Sequence, residues 1–92
     1  MIIMLIELKN MDEGLKVFLC ERIFKERINS QGEIIELAAQ VGYEETKVNK
    51  ALEIFLYNNL IDKVQGIMSF PVKGDFLITD SRYHELKENG YL

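Results

Sequence analysis

The side chains that could perform catalysis are few and do not form a recognisable constellation. Cys20 and His84 are the only cysteine and histidine, so the chain has no ligand set for zinc. The other candidate nucleophiles and acid–base groups are Ser30, Ser69, Ser81 and the carboxylate pairs Glu44–Glu45 and Glu85–Glu88. These serines lack a triad order, and nothing around the carboxylates promises burial and a raised pKa. We therefore expect a binding protein without enzymatic activity, metal or cofactor, with Cys20 in the core and His84 on the surface.

Polar residues at helical spacing form a second group, whose chemistry suits nucleic acid. If a helix over residues 45–58 enters a major groove, its outward side chains face base edges or phosphates. The candidate nucleic-acid-binding residues on this helix are Thr46, Lys47, Asn49 and Lys50, with Glu53 beside them. Lys73, at the tip of a predicted hairpin, would contact the DNA backbone. The alternative is that these residues are simply the solvated face of an amphipathic helix and a loop lysine.

The overall charge opposes strong DNA affinity. The 92-residue chain carries a formal net charge of −4, whereas nucleic-acid-binding proteins usually have a basic excess. Its hydrophobic content of 48% and charged content of 28% are typical of one globular domain, here residues 1–92. The apolar start is too short for a signal peptide, and a lone cysteine suits a reducing compartment. We expect a cytoplasmic protein with no membrane contact.

The first half of the chain contains two predicted helices. Asn10 followed by Glu13 has the spacing of a helix N-cap with an acidic partner, and it predicts a helix over residues 11–28. The turn-forming stretch 29–32, with Gly32 able to take positive φ, separates this helix from a second one over residues 33–41. Gly42 then has the position of a glycine that ends a helix.

The second half predicts a third helix over residues 45–58, a hairpin over 61–79 and a last helix over 80–89 capped by Thr79 or Asp80. The shared core is expected to contain Val41, Val48, Leu52, Phe55 and Ile61. The strand-like segment Met1–Leu8 has three open uses: it could pack along the hairpin, extend the first helix or pair with another copy.

Three stretches resemble the winged helix-turn-helix superfamily: Glu36-Leu-Ala-Ala-Gln-Val-Gly-Tyr43, Val48-Asn-Lys-Ala-Leu52 and Asn59-Leu-Ile61. The segment from Leu77 to Gly90 also resembles the helix after the wing in small bacterial, archaeal and phage members. The resemblance implies a mainly α fold with a small β-hairpin (α+β), built from a three-helix core, a wing and a C-terminal helix. It implies a DNA-binding transcriptional regulator that reads duplex DNA through the third helix and wing.

A weaker resemblance links four short segments to the first domain of phage replisome-organiser proteins, which leaves a replication role as an alternative. The segments are 10–14, 28–29, 32–34 and 51–55.

The departure from the superfamily pattern concerns the start of the third helix. Glu44–Glu45 stand where members usually have Ser, Thr or Asp, so two carboxylates face the approach of phosphates. This favours an alternative function, an acidic protein–protein interaction module without DNA binding. In either case the apolar start of the chain, with Tyr43, Tyr57, Phe70 and Tyr91, supplies more apolar surface than a small domain can bury, which predicts a partner interface. The resemblance to winged-helix proteins, which often dimerise through terminal elements, implies a homodimer through Met1–Leu8 and the last helix.

Overall fold

The computed structural model describes residues 2–63 and 75–92, with side chains from Leu5 onward. This part of the chain is mainly helical with one small antiparallel sheet, as predicted. Its elements are α1 (Ile2–Lys9), α2 (Glu13–Cys20), α3 (Gln31–Gln40), α4 (Glu45–Tyr57), β1 (Ile61–Lys63), β2 (Phe76–Ile78) and α5 (Asp80–Glu88). A π-helical turn, Glu21–Lys25, continues α2. None of the helices in these two ranges is long and apolar enough to cross a membrane.

Helix α4 lies at the centre of the molecule, because α1, α2, α3 and β1 all pack against it. Val48, Leu52 and Phe55 recur at helical spacing on its inner face, and all three are fully shielded from solvent. They belong to one hydrophobic cluster with Ile61 at the start of β1. The core position predicted for these four residues is confirmed.

Val41, the fifth predicted core residue, is 61% exposed, so this prediction is wrong. The reason is that α3 ends before it. Val41 is the C-cap residue, and Gly42, at φ +94°, reverses the chain so that the Tyr43 N–H donates to the Ala38 carbonyl at 3.0 Å. Tyr43 packs against the core instead of Val41.

The N-terminal segment is a helix, so the strand predicted for residues 1–8 is wrong. Helix α1 packs against α4, and Leu8 is completely buried. Asn10 does not cap the next helix, because its N–H donates to the Ile6 carbonyl at the end of α1. The N-cap of α2 is Asp12, whose carboxylate accepts from the Leu15 N–H at 3.2 Å.

The helix predicted over residues 11–28 is interrupted in its second half. In the π-helical turn the Glu26 N–H donates to the Glu21 carbonyl at 3.0 Å, which inserts one extra residue. The left-handed backbone position that follows belongs to Arg27, at φ +62°, and not to Gly32, which lies inside α3. Helix α3 therefore begins two residues earlier than predicted, with Ser30 as its N-cap.

The base of the predicted hairpin is confirmed. Strands β1 and β2 pair antiparallel with Ile61 opposite Ile78 and Lys63 opposite Phe76. The extended segment before α3 joins them, because Ser30 bridges Asp75 and the Phe76 N–H donates to the Asn29 carbonyl at 2.8 Å. The predicted turn of this hairpin, with Lys73, lies outside the described residues.

Helix α5 is the last element, and its range differs by one residue from the predicted 80–89. Leu86 on its inner face is 2% exposed, and the ring of Tyr83 stacks on Phe24 with centroids 4.2 Å apart. At its start, Asp80 receives two hydrogen bonds from Arg27, at 2.7 and 3.0 Å. This ion pair joins the turn after the π-helical segment to α5.

Candidate nucleic-acid interface

The outer side of α4 is the surface that the sequence predicts to contact DNA. Thr46, Lys50 and Tyr57 are exposed on it, and Glu53 between them is partly exposed. Helical spacing puts these four residues in one row, opposite the buried Val48, which we call the outer row of α4. The row is therefore presented to solvent by the same packing that buries the other side of the helix.

Lys47 does not belong to the outer row. Its Nζ lies 2.9 Å from Oδ2 of Asp12 at the start of α2, and 5.7 Å from the ring centre of Tyr43. The hydrogen bond between the two side chains lowers the pKa of Asp12 and raises that of Lys47. Lys47 thus links α4 to α2, and a phosphate would have to compete with the Asp12 carboxylate for it.

Asn49 is not the free outward side chain that the helical spacing predicts. It is half-buried, and its Oδ1 accepts from Nε2 of Gln31 in α3 at 2.7 Å. Gln31 is itself only 2% exposed, and its Oε1 has no hydrogen-bond partner among the residues described. The pair connects α3 to α4, which leaves the Asn49 amide nitrogen as the group able to reach an outside acceptor.

The start of α4 is acidic, as the sequence indicates. Glu44 is the N-cap residue and makes no side-chain hydrogen bond to the helix, and both Glu44 and Glu45 are exposed. Of the two lysines on α4, only Lys50 has no ion pair within residues 2–63 and 75–92. The electrostatic attraction that α4 offers to a phosphate therefore depends on Lys50.

A cleft beside the outer row was not anticipated from the sequence. It has a volume of about 320 Å³ and lies between the start of α2 and α4. We call it the α2–α4 cleft; its walls are Met11, Asp12, Leu15, Thr46, Lys47, Lys50, Ala51 and Ile54. Sequence periodicity indicates Leu15 and Ala51 as core residues, but it gives no sign of an open cleft between the two helices.

A second cavity, of about 170 Å³, lies between α2 and the C-terminal part of the chain. Cys20 lines it, partly buried and packed against the core. Burial raises the pKa of the Cys20 thiol to about 11, although Lys16 and Lys87 act in the opposite direction. The thiol is therefore protonated at neutral pH and is a poor nucleophile.

Glu85 and Glu88, the second candidate carboxylate pair, are exposed on α5. His84 is exposed on α5, as predicted, and the part of the chain that the structure describes has no cluster of three or more metal-ligating residues. No protein-family model, curated protein or solved structure matches the chain.

Proposed function

We propose that this protein is a winged helix-turn-helix module that binds duplex DNA weakly through α4 and the hairpin, as a transcriptional regulator does. The observation that carries the proposal is the outer row of α4, which faces solvent on a helix whose other side is the centre of the core. The order of elements supports it, since α3 and α4 are joined by residues 41–44 and the hairpin follows α4 directly.

The proposed contacts divide by chemistry. Lys50 contacts phosphate, Thr46 donates from its hydroxyl, and the Asn49 amide nitrogen reaches an acceptor on a base edge. Lys73 of the hairpin adds a backbone contact. The exposed Glu44 and Glu45 repel the same phosphates, so the predicted affinity is low and strongly dependent on salt.

We also propose that the protein acts as a homodimer through α1 and the C-terminal part of the chain. Ile6 of α1 is 52% exposed, and Nζ of Lys9 lies 6.0 Å from the ring centre of Tyr91. The end of α1 thus lies beside Tyr91, and a second copy that docked here would cover the exposed Ile6. Light scattering at high micromolar concentration should give twice the 10.7 kDa chain mass; the mass of one chain would contradict the dimer.

The DNA contact is tested by fluorescence anisotropy with a labelled random-sequence duplex, titrated with protein at several low salt concentrations. Lys50→Glu should weaken binding about tenfold and reduce the slope of log affinity against log salt by about 1. Lys25→Glu is the matched control, because Lys25 is also exposed but belongs to the π-helical turn and does not line the α2–α4 cleft. It should bind like the unmodified protein.

Two results would refute this function. The first is the absence of binding to any duplex at the lowest salt. The second is an equal effect of the two charge reversals, which would mean that the protein responds only to its total charge.

A second candidate function is supported by the exposed pair Glu44 and Glu45, which have no ion pair in the ranges described. In this alternative the protein is an acidic interaction module that binds the basic surface of another protein. The double variant Glu44→Lys/Glu45→Lys separates the two. If the protein binds DNA through α4, the double variant should bind DNA more tightly than the unmodified protein. If the protein is an acidic interaction module, the double variant should gain DNA binding and lose partner binding.

A further inference from the structure

The α2–α4 cleft has the size and lining of a small-molecule site. Its volume of about 320 Å³ is at the lower end of the range found for ligand pockets. The apolar side chains of the cleft that a ligand can still touch are Met11, which is partly exposed, and Ile54, 8% exposed, whereas Leu15 and Ala51 are already 1% and 2% exposed. A ligand with a compact apolar body would cover Met11 and Ile54.

The charged residues at the mouth of the cleft determine which ligand charge the cleft favours. They are Asp12, Lys47 and Lys50. The Asp12 carboxylate and the Lys47 ammonium are 2.9 Å apart and offset one another, whereas Lys50 has no ion pair among the described side chains. One uncompensated positive charge therefore stands beside an apolar floor.

We propose that the α2–α4 cleft binds a small monocarboxylate with an aliphatic or aromatic body. The carboxylate pairs with Lys50, and the body covers Met11 and Ile54. A cation is repelled by Lys50, and a neutral compound of the same shape gains only the apolar contact. Lys47 is within reach of the same carboxylate if it shares its hydrogen bonds with Asp12.

This ligand would compete with DNA, because Lys50 is also the proposed phosphate contact of α4. The competition rests on the proposed function, but the binding of the carboxylate does not. A regulator built this way would release its duplex when the carboxylate accumulates.

The binding is tested by isothermal titration calorimetry of the full chain, without DNA, using sodium 4-phenylbutyrate. The matched neutral ligand is 4-phenylbutanamide, and acetate supplies the charge without the apolar body. We expect 4-phenylbutyrate to bind about fivefold more tightly than the amide, the upper end of what an exposed ion pair contributes, and acetate to show no binding.

The variants Lys50→Met and Lys25→Met locate the site. Both residues are exposed, so the substitutions should leave the fold intact, which circular dichroism checks. Lys50→Met should bind the acid and the amide equally, while Lys25→Met, which alters the second cavity, should keep the fivefold preference. A preference that persists in Lys50→Met, a preference lost in Lys25→Met, or no binding of 4-phenylbutyrate would overturn the proposal.

The same ligand added to the protein–duplex complex separates the two proposals. Displacement of the duplex by 4-phenylbutyrate, and not by the amide, supports both. Tight binding without displacement would keep the cleft assignment and contradict the DNA contact of Lys50.

Discussion

Gly14, near the start of α2, makes room for Tyr43 of the turn between α3 and α4. A Cβ atom added to Gly14 would lie 2.8 Å from the Tyr43 hydroxyl oxygen, closer than such atoms approach one another in proteins. The ring and the backbone of this tyrosine each have one neighbour that limits its movement. Its ring packs against Phe18, with centroids 6.0 Å apart, and its N–H is bonded to the Ala38 carbonyl.

Two opposing effects decide the outcome of Gly14→Ala. Alanine is favoured over glycine in a helix by up to about 1 kcal/mol, with less gained in the first turn. Overpacking costs about 1–3 kcal/mol in a protein core, and because Gly14 is exposed we take about 1.5 kcal/mol here. We therefore expect Gly14→Ala to lower the free energy of unfolding by about 1 kcal/mol. In the Tyr43→Phe background the hydroxyl is gone, and Gly14→Ala should then raise the free energy of unfolding by about 0.5 kcal/mol.

The assay is urea unfolding, followed by circular dichroism, of the unmodified protein, both single variants and the double variant. Equal m-values would show that the unfolding reaction is the same in all four. The expected coupling energy is about 1–2 kcal/mol, which residues in direct contact can show. Effects that add to within about 0.3 kcal/mol would refute the contact, and with it the position of the α3–α4 turn against α2.

Three further predictions concern the core, the ion pairs and the thiol. Val48→Ala should lower the free energy of unfolding by about 2 kcal/mol and the exposed Val41→Ala by less than about 0.5 kcal/mol; equal losses in denaturant unfolding would contradict the assigned core. The hydrogen bond from Arg27 holds the pKa of Asp80 below its usual value, so this pair stabilises the protein above about pH 4 and is lost as the pH falls through the lowered pKa. Stability measured from neutral to acidic pH should therefore decline less steeply in Asp80→Asn, and an unchanged slope would argue against the pair. Because the pKa of the Cys20 thiol is raised to about 11, iodoacetamide at pH 8 should alkylate the folded protein more slowly than the urea-unfolded protein, and equal rates would show an accessible thiol.

The parts of the fold that follow from the sequence are those where one physical cause dominates. On α4, the apolar residues Val48, Leu52 and Phe55 recur at helical spacing because a single face is buried. The C-terminal ends of α3, α4 and α5 were equally predictable. Gly42, Asn59 and Gly90 all take positive φ there, which few other residue types tolerate.

Other features depend on contacts between distant residues and escaped prediction. The β-branched start of the chain favours a strand by composition, but packing of α1 against α4 makes it a helix. The inward turn of Asn49 is caused by Gln31, which lies in another helix. Val41 continues the apolar spacing of α3, but the helix ends at Gln40, so Val41 is the C-cap residue and not part of the buried face. In the candidate site, the acidic helix start was visible in the sequence, whereas the pairing of Lys47 with Asp12 was not.

The DNA-binding claim is tested most directly by nuclear magnetic resonance of the uniformly ¹⁵N-labelled protein, titrated at low salt with an unlabelled duplex. The proposed function predicts that the amide signals of Thr46, Lys50 and Glu53 shift with the duplex, while those of α1 and α5 stay in place. Shifts confined to α1 or α5, or an unchanged spectrum throughout the titration, would contradict it.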